Sequence, residues 1–351
     1  MPDGLTGADV SNGLAEAEAE EAATGEPGVH GTVEAVQSLV QPGVASPAAD
    51  EASQDVSANM PPVGEKSAGF FAPLRIANFR RLIAGQTISR LGDQFYFVAL
   101  PWLVLRVVDS SHAAASLALV SGVSAAMLGV FTLAGGVLAD RYGPRALMLG
   151  SDVARFITIS VLAALALLST PPLWVLILLS ALLGIAGGLF YPASMAMVPH
   201  LVPGKDLQAA NSFEQLTLQT SNFIGPGVAG VVLGVTRLAL GFVLDAVSFV
   251  VSVVSLALIR APGQAHAAPE AATAPKHKAG SGLRDLREAF RFLRASRFLF
   301  TLLCVSFVAN LAVNGLFEVA LPLLLKQWVG IANGPRALGF TIGGFGLGSV
   351  I

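Results

Sequence analysis

The sequence predicts an all-α integral membrane protein, and three observations carry that expectation. The chain is 54% hydrophobic and only 13% charged, where an average soluble domain holds about 25% charged residues. Its apolar residues fall in blocks, and several blocks reach about 20 residues, enough to cross a ~30 Å hydrocarbon core at ~1.5 Å per residue. Lipid offers the backbone no hydrogen-bonding partner, so blocks of this length read as helices.

The elements follow in order. Residues 1–68 are rich in Ala, Glu, Gly, Pro and Ser and poor in large apolar residues. Such a segment cannot bury enough surface to offset its ordering entropy, so a disordered acidic tail is expected. Residues 69–81 form a basic-amphipathic juxtamembrane lead-in. Spans are placed at 82–106, 116–139, 147–169, 173–198, 211–235 and 238–259, giving a six-helix bundle over 82–259. Residues 260–297 read as a linker ending in an amphipathic helix, with Leu286, Phe290 and Leu293 on one face. A seventh span covers 298–325, and an eighth begins near 337 and is cut short at Ile351. Residues 298–351 are thus the start of a truncated second bundle.

Charge placement sets the orientation. Residues 1–66 hold twelve acidic residues and one basic residue, while the remainder holds twenty Lys and Arg against eleven Asp and Glu. Most of those basic residues, including Arg80, Arg81, Arg141, Arg145 and Arg291, fall on the side of the tail. The positive-inside rule then puts the N-terminus and the 260–297 linker in the cytoplasm of a cell with a plasma membrane.

Several function classes are excluded or disfavoured. The single cysteine, Cys304, permits no internal disulfide, and the five histidines show no ligand spacing, so neither a metal site nor a cofactor is expected. No phosphate-binding G-x-x-x-x-G-K-[ST] loop is present, and no nucleophile elbow or H-E-x-x-H motif points to an enzyme. The basic residues are juxtamembrane without interleaved aromatics, which argues against nucleic-acid binding.

The chain also repeats itself. Val98-Ala99-Leu100-Pro101-Trp102-Leu103-Val104 recurs as Val319-Ala320-Leu321-Pro322-Leu323-Leu324-Leu325, an offset of 221 residues. Two related halves joined by a cytoplasmic loop is a transporter plan. The alternative is chance similarity between apolar segments.

Between spans two and three stands Gly136-Val137-Leu138-Ala139-Asp140-Arg141-Tyr142-Gly143-Pro144-Arg145. Small Gly136 and Ala139 permit close helix approach, and Gly143-Pro144 suits a tight turn. Asp140 can pair with a basic side chain or cap a neighbouring helix N-terminus. This stretch resembles the G-x-x-x-D-R-x-G-x-[RK] signature of the major facilitator superfamily, with Pro144 where a basic residue is usual. Ser89-Arg90-Leu91-Gly92-Asp93, Tyr191-Pro192-Ala193, Gly225-Pro226 and Leu244-Asp245-Ala246-Val247-Ser248-Phe249 are similar to its macrolide-efflux and siderophore-exporter branch. The resemblance implies two six-helix bundles, alternating access and export driven by the proton gradient. It implies a gating latch at Gly136, Asp140, Arg141, Gly143 and Arg145.

Charged residues inside spans are the site candidates. A charge at mid-bilayer costs at least ~2.5–3.5 kcal/mol on insertion scales, which makes intramembrane ionisable groups functional candidates. Asp93 and Arg90 lie three residues apart in span one, with Asp93 as proton carrier and Arg90 as the cation that sets its proton affinity. A static ion pair is the competing account. Asp245 and Glu318 are secondary proton-coupling candidates, and Asp152 with Arg155 reads as a structural pair. In span five Asn211, Gln215, Gln219 and Asn222 form a polar stripe that lines a substrate path or binds neighbouring helices. Gly225-Pro226 follows and resembles a G-P-x-x-G bend of antiporters.

The expected function is proton-coupled efflux of drugs or secreted small metabolites. The partners are a small-molecule substrate, protons and the lipid bilayer. Uptake by a carrier of the same superfamily and a truncated, non-transporting membrane protein are the alternatives.

Overall fold

The computed structural model describes residues 69–259, 291, 294 and 296–348. The expected acidic tail (1–68) and nearly all of the expected amphipathic linker (260–297) lie outside the described residues. Every regular element among the described residues is helical. α1 spans Ala77–Val107, α2 Ala113–Tyr142, α3 Pro144–Leu168, α4 Leu173–Leu201, α5 Leu207–Val235 and α6 Leu238–Ala257. α7 covers Arg297–Gly315, a π-helical stretch covers Leu316–Ala320, and α8 covers Leu321–Gly348. Six helical stretches, Ala113–Tyr142, Pro144–Leu168, Leu173–Leu201, Gly204–Val235, Leu238–Ala257 and Arg297–Gly346, are long and apolar enough to cross a membrane. α1 is as long, at 31 residues, but carries Arg80, Arg81, Arg90, Asp93 and Arg106.

Two boundaries differ from the sequence expectation. α1 starts at Ala77, so the lead-in is only the 3-10 turn Ala72–Arg75 and one extended residue, Ile76. In the second half, the expected loop between 325 and 337 is absent. Helix continues to Val329, breaks at Gly330 (φ 74°, ψ 176°) and resumes at once. A glycine reaches this positive φ without the Cβ clash that restricts other residues, so one residue does the work of a loop. Shifted by 221, Ala77 and Val107 of α1 fall on Phe298 and Trp328, one residue inside each end of the helical stretch 297–329. Asp109, in the loop after α1, falls on Gly330.

The most extensive packing pairs are α2 with α4, α1 with α6 and α5 with α8, followed by α3 with α6 and α4. Glycines set the closest of these approaches. Gly184 and Gly188 of α4 press on the backbone of α2, where a Cβ on Gly188 would lie 2.6 Å from the Leu128 carbonyl oxygen. Gly187, between them, meets only a Leu128 methyl at 3.5 Å. Gly230 of α5 and Gly339 of α8 meet backbone to backbone, and a Cβ on either would lie 2.5 Å from the other's Cα.

The apolar core falls into two clusters along the bundle. One gathers Trp102, Leu117, Ile159, Leu176, Phe242 and Phe249, and the other gathers Phe79, Leu82, Met148, Met197 and Leu256. Between them α1, α3 and α6 contribute Gln86, Ser89, Asp152, Arg155, Asp245, Ser248 and Ser252, all buried. The functional candidates collect in this polar layer.

Candidate functional site

The polar layer is built around Arg155. Its Nη2 donates to Asp152 Oδ1 at 2.7 Å, and the other carboxylate oxygen of Asp152 accepts from Ser252 Oγ at 2.6 Å. The guanidinium lies over the Phe190 ring at 4.1 Å and the Phe249 ring at 4.9 Å from their centroids. Two aromatic faces supply cation–π attraction in a setting where water does not compete. Asp93 of α1 lies within electrostatic reach of Arg155, Asp152 and Arg90. Asp245 of α6 lies within reach of Asp93 and Arg155, and its main-chain carbonyl accepts from Ser248 Oγ at 2.7 Å. The close approach needed for this comes from Gly92, where a Cβ would collide with Ser248 and Asp245. Asp152 thus pairs with the buried guanidinium, and Asp93 and Asp245 lie within its electrostatic reach.

Arg90 takes a different partner from the one three residues away. Its Nη2 donates to Glu214 Oε1 at 3.0 Å and to Gln86 Oε1 at 2.9 Å, and Ser194 Oγ donates to the same Glu214 oxygen at 3.3 Å. This network ties α1, α4 and α5 together. Sequence reasoning missed Glu214. It sits beside the polar stripe of span five, and the sequence offered a nearer carboxylate for Arg90.

Glu318 stands apart from both networks. It lies in the π-helical stretch, half-buried, with Ser121 of α2 as its hydrogen-bonding neighbour and the Tyr96 phenol within electrostatic reach. Tyr96 and Ser180 share a hydrogen bond of 3.1 Å.

The polar stripe of α5 divides in two. Gln215, Gln219 and Asn222 are exposed, and Asn222 Oδ1 accepts from Gln94 Nε2 at 3.2 Å. Gly225 is closed off by the Gln94 side chain, while the Pro226 carbonyl faces Gly339 of α8. Gly225 and Pro226 therefore belong to the contact between α5 and the two elements beside it, and Gln215 and Gln219 to an open face.

At the turn between α2 and α3, Gly143 adopts φ 84° and its N–H donates to the Ala139 carbonyl at 2.9 Å. Arg145 donates to the Leu256 and Ala257 carbonyls at 3.1 and 2.9 Å, and Arg81 donates to Leu258 at 3.0 Å. Two cations thus satisfy the orphan carbonyls at the C-terminal end of α6 and face its negative dipole end. Asp140 is exposed and, among the described residues, makes neither the ion pair nor the helix cap that the sequence suggests. Arg141 stacks over Tyr142 at 5.4 Å, and the space beside Gly136 is open.

A tight turn carrying the G-x-x-x-D-R-x-G-x-R spacing, between the second and third helices of a six-helix bundle, matches one family's model. The Major Facilitator Superfamily model covers residues 82–351. The chain belongs to the major facilitator superfamily. Within it, the chain is 25% identical over 280 residues to macrolide efflux protein A of Streptococcus pyogenes, covering 77% of this chain and 66% of that protein. It is 26% identical over 229 residues to macrolide efflux protein A of Enterococcus faecalis, covering 62% and 68%. An MFS-type transporter of Bacillus subtilis is 26% identical over 221 residues, covering 63% of this chain and 50% of its own length. The chain thus spans just under two thirds of the Streptococcus relative and half of the Bacillus one.

Proposed function

We propose that this major facilitator protein exports amphipathic small molecules, macrolides among them, across the plasma membrane by alternating access coupled to the proton gradient. Membership of the superfamily and the names of the macrolide relatives support export of this kind. The observation that carries proton coupling is the charge balance of the polar layer. Asp152 pairs with the Arg155 guanidinium, and Asp93 and Asp245 lie within electrostatic reach of it. Asp152 and Arg155 neutralise each other directly, which leaves Asp93 and Asp245 as the groups whose charge a proton balances. Asp93 is the less buried of the two and stands closer to the Arg90–Glu214 pair, so it is the exchanging site.

The basic residues on the side of Arg80, Arg81, Arg141 and Arg145 support a cytoplasmic N-terminus. Gln215 and Gln219, on the open face of α5, line the substrate path, and the turn at Gly143 with Arg145 forms the latch that the two conformations make and break. Whole-cell accumulation separates export from uptake. Cells expressing the protein are expected to hold less labelled macrolide than cells without it, and an uncoupler is expected to abolish the difference. Higher accumulation with the protein present would assign uptake instead.

A further inference from the structure

We propose that Trp102 is a positioning residue of the transport cycle: its indole ring, seated in a notch at Gly334, holds the two halves together at the outer end and keeps that end shut. The proposal rests on the alternating-access reading above and adds the side chain that sets which end is closed.

Trp102 lies on α1 near the helix end at Val107, away from the end where Arg81 and Arg145 meet the last carbonyls of α6. Its side chain is wholly buried. Gly334 belongs to the second half, just past the break at Gly330. A Cβ on Gly334 would fall inside the Trp102 ring, against Cζ2, Cζ3 and Cη2. The ring therefore occupies space that any residue other than glycine would fill, and the two halves meet there as wedge and notch. Two more contacts between the halves lie at the same end. A Cβ on Gly234, beside the end of α5 at Val235, would lie 2.7 Å from the Arg336 Cβ, and Gly230 meets Gly339 backbone to backbone.

Two features mark this contact as a gate rather than ordinary packing. The 221-residue offset puts Leu323 at the place of Trp102 and Ala113 at the place of Gly334, so the repeat keeps neither member of the pair. The indole Nε1 has no hydrogen-bonding partner among the described residues. A buried donor left unpaired destabilises the state that buries it, and water satisfies it once the ring is exposed. Ring packing favours the closed arrangement and the unpaired donor opposes it, so the contact opens at less cost than an apolar ring of the same size would impose. A cycling gate needs that balance between its two states. The other end of the bundle carries the opposite feature. Gly204, Leu207, Gln208, Asn211, Ser212 and Gln215 line an open cavity of about 780 Å³ around the start of α5.

The test uses the full chain in proteoliposomes and reads both ends. With Trp174→Phe and Trp328→Phe, both at exposed positions, Trp102 is the remaining tryptophan, and acrylamide quenching reports its exposure. With Cys304→Ser and Ser212→Cys, reaction with a membrane-impermeant maleimide supplied on the side of the N-terminus reports the open cavity. Gly334→Ala puts a Cβ in the seat of the ring. It is expected to raise quenching of Trp102 about threefold or more and to slow the Ser212→Cys reaction by about the same factor, because opening one end closes the other. Trp102→Ala, which leaves space instead of crowding it, is expected to slow that reaction in the same direction, so the test stands even if Gly334→Ala does not fold. A ring that stays protected in folded Gly334→Ala protein would overturn the proposal. A Ser212→Cys rate unchanged in either folded variant would overturn it in favour of a packing role. Failure of alternating access itself would show separately, as a Ser212→Cys rate in the parent that responds neither to macrolide nor to a pH gradient.

Discussion

Replacing Asp152 with alanine removes the carboxylate that meets Arg155 at 2.7 Å and receives Ser252 at 2.6 Å. Arg155 is 8% exposed and Asp152 wholly buried, so solvent cannot take over the lost partner. Leaving one member of a buried pair uncompensated costs about 3–5 kcal/mol. Two features moderate the loss. Phe190 and Phe249 continue to face the guanidinium, and Asp93 and Asp245 lie within electrostatic reach of it. The expected destabilisation is therefore at the lower end, about 3 kcal/mol. The assay is reversible unfolding of the full chain in bilayers, read as a free energy. The Asp152→Ala, Arg155→Met double variant is expected to recover most of the loss, because apolar replacement of a whole buried pair is often neutral. A single Asp152→Ala variant within ~1 kcal/mol of the parent, or a double variant less stable than the single, would refute the reasoning.

Two further predictions concern the frame around the site. Gly339→Val places a branched side chain where a Cβ alone would lie 2.5 Å from the Gly230 Cα, so α5 and α8 are expected to separate at a cost of about 1–3 kcal/mol. Cysteine cross-linking between the two helices should fall accordingly. Arg145→Ala removes two bonds to the α6 C-terminus and is expected to cost up to about 2 kcal/mol of stability, with Arg81→Ala adding a smaller loss, both measured by the same unfolding assay.

Much of the frame was legible in the sequence for a simple reason. A membrane span needs an apolar block of fixed length, and blocks such as Leu173–Leu201 announce themselves without tertiary information. The 221-residue repeat was legible because Leu-Pro with its apolar flanks recurs at both Pro101 and Pro322. The break at Gly330 was not legible. Lys326, Asn333, Gly334, Pro335 and Arg336 read together as a polar loop, whereas one positive-φ glycine supplies the whole turn and the others are helical. The π-helical stretch around Glu318 leaves no mark in composition or periodicity, since it is a change of hydrogen-bond register.

The candidate site was legible as a set of residues and less so as a set of partnerships. Asp93, Arg90, Asp245 and Glu318 stood out because charge inside an apolar block is expensive. Which of them pair is decided by helix packing across more than a hundred residues, as with Arg90 and Glu214, 124 positions apart. Asp152 with Arg155 was readable because both partners lie on one helix face at i, i+3. The aromatic rings that complete the Arg155 site come from α4 and α6, and no local signal connects Phe190 or Phe249 to it.

The measurement that tests the central claim most directly is uptake of a radiolabelled macrolide into proteoliposomes holding the full chain in the inside-out orientation. Export coupled to proton entry then appears as movement of the macrolide into the lumen while protons leave it. An acidic lumen is expected to drive uptake above equilibrium, and dissipating the gradient should return the macrolide to equilibrium. Asp93→Asn is expected to abolish the uphill component while leaving downhill exchange. Uphill uptake that persists without a pH gradient, or an Asp93→Asn protein that concentrates the macrolide as well as the parent does, would contradict the account.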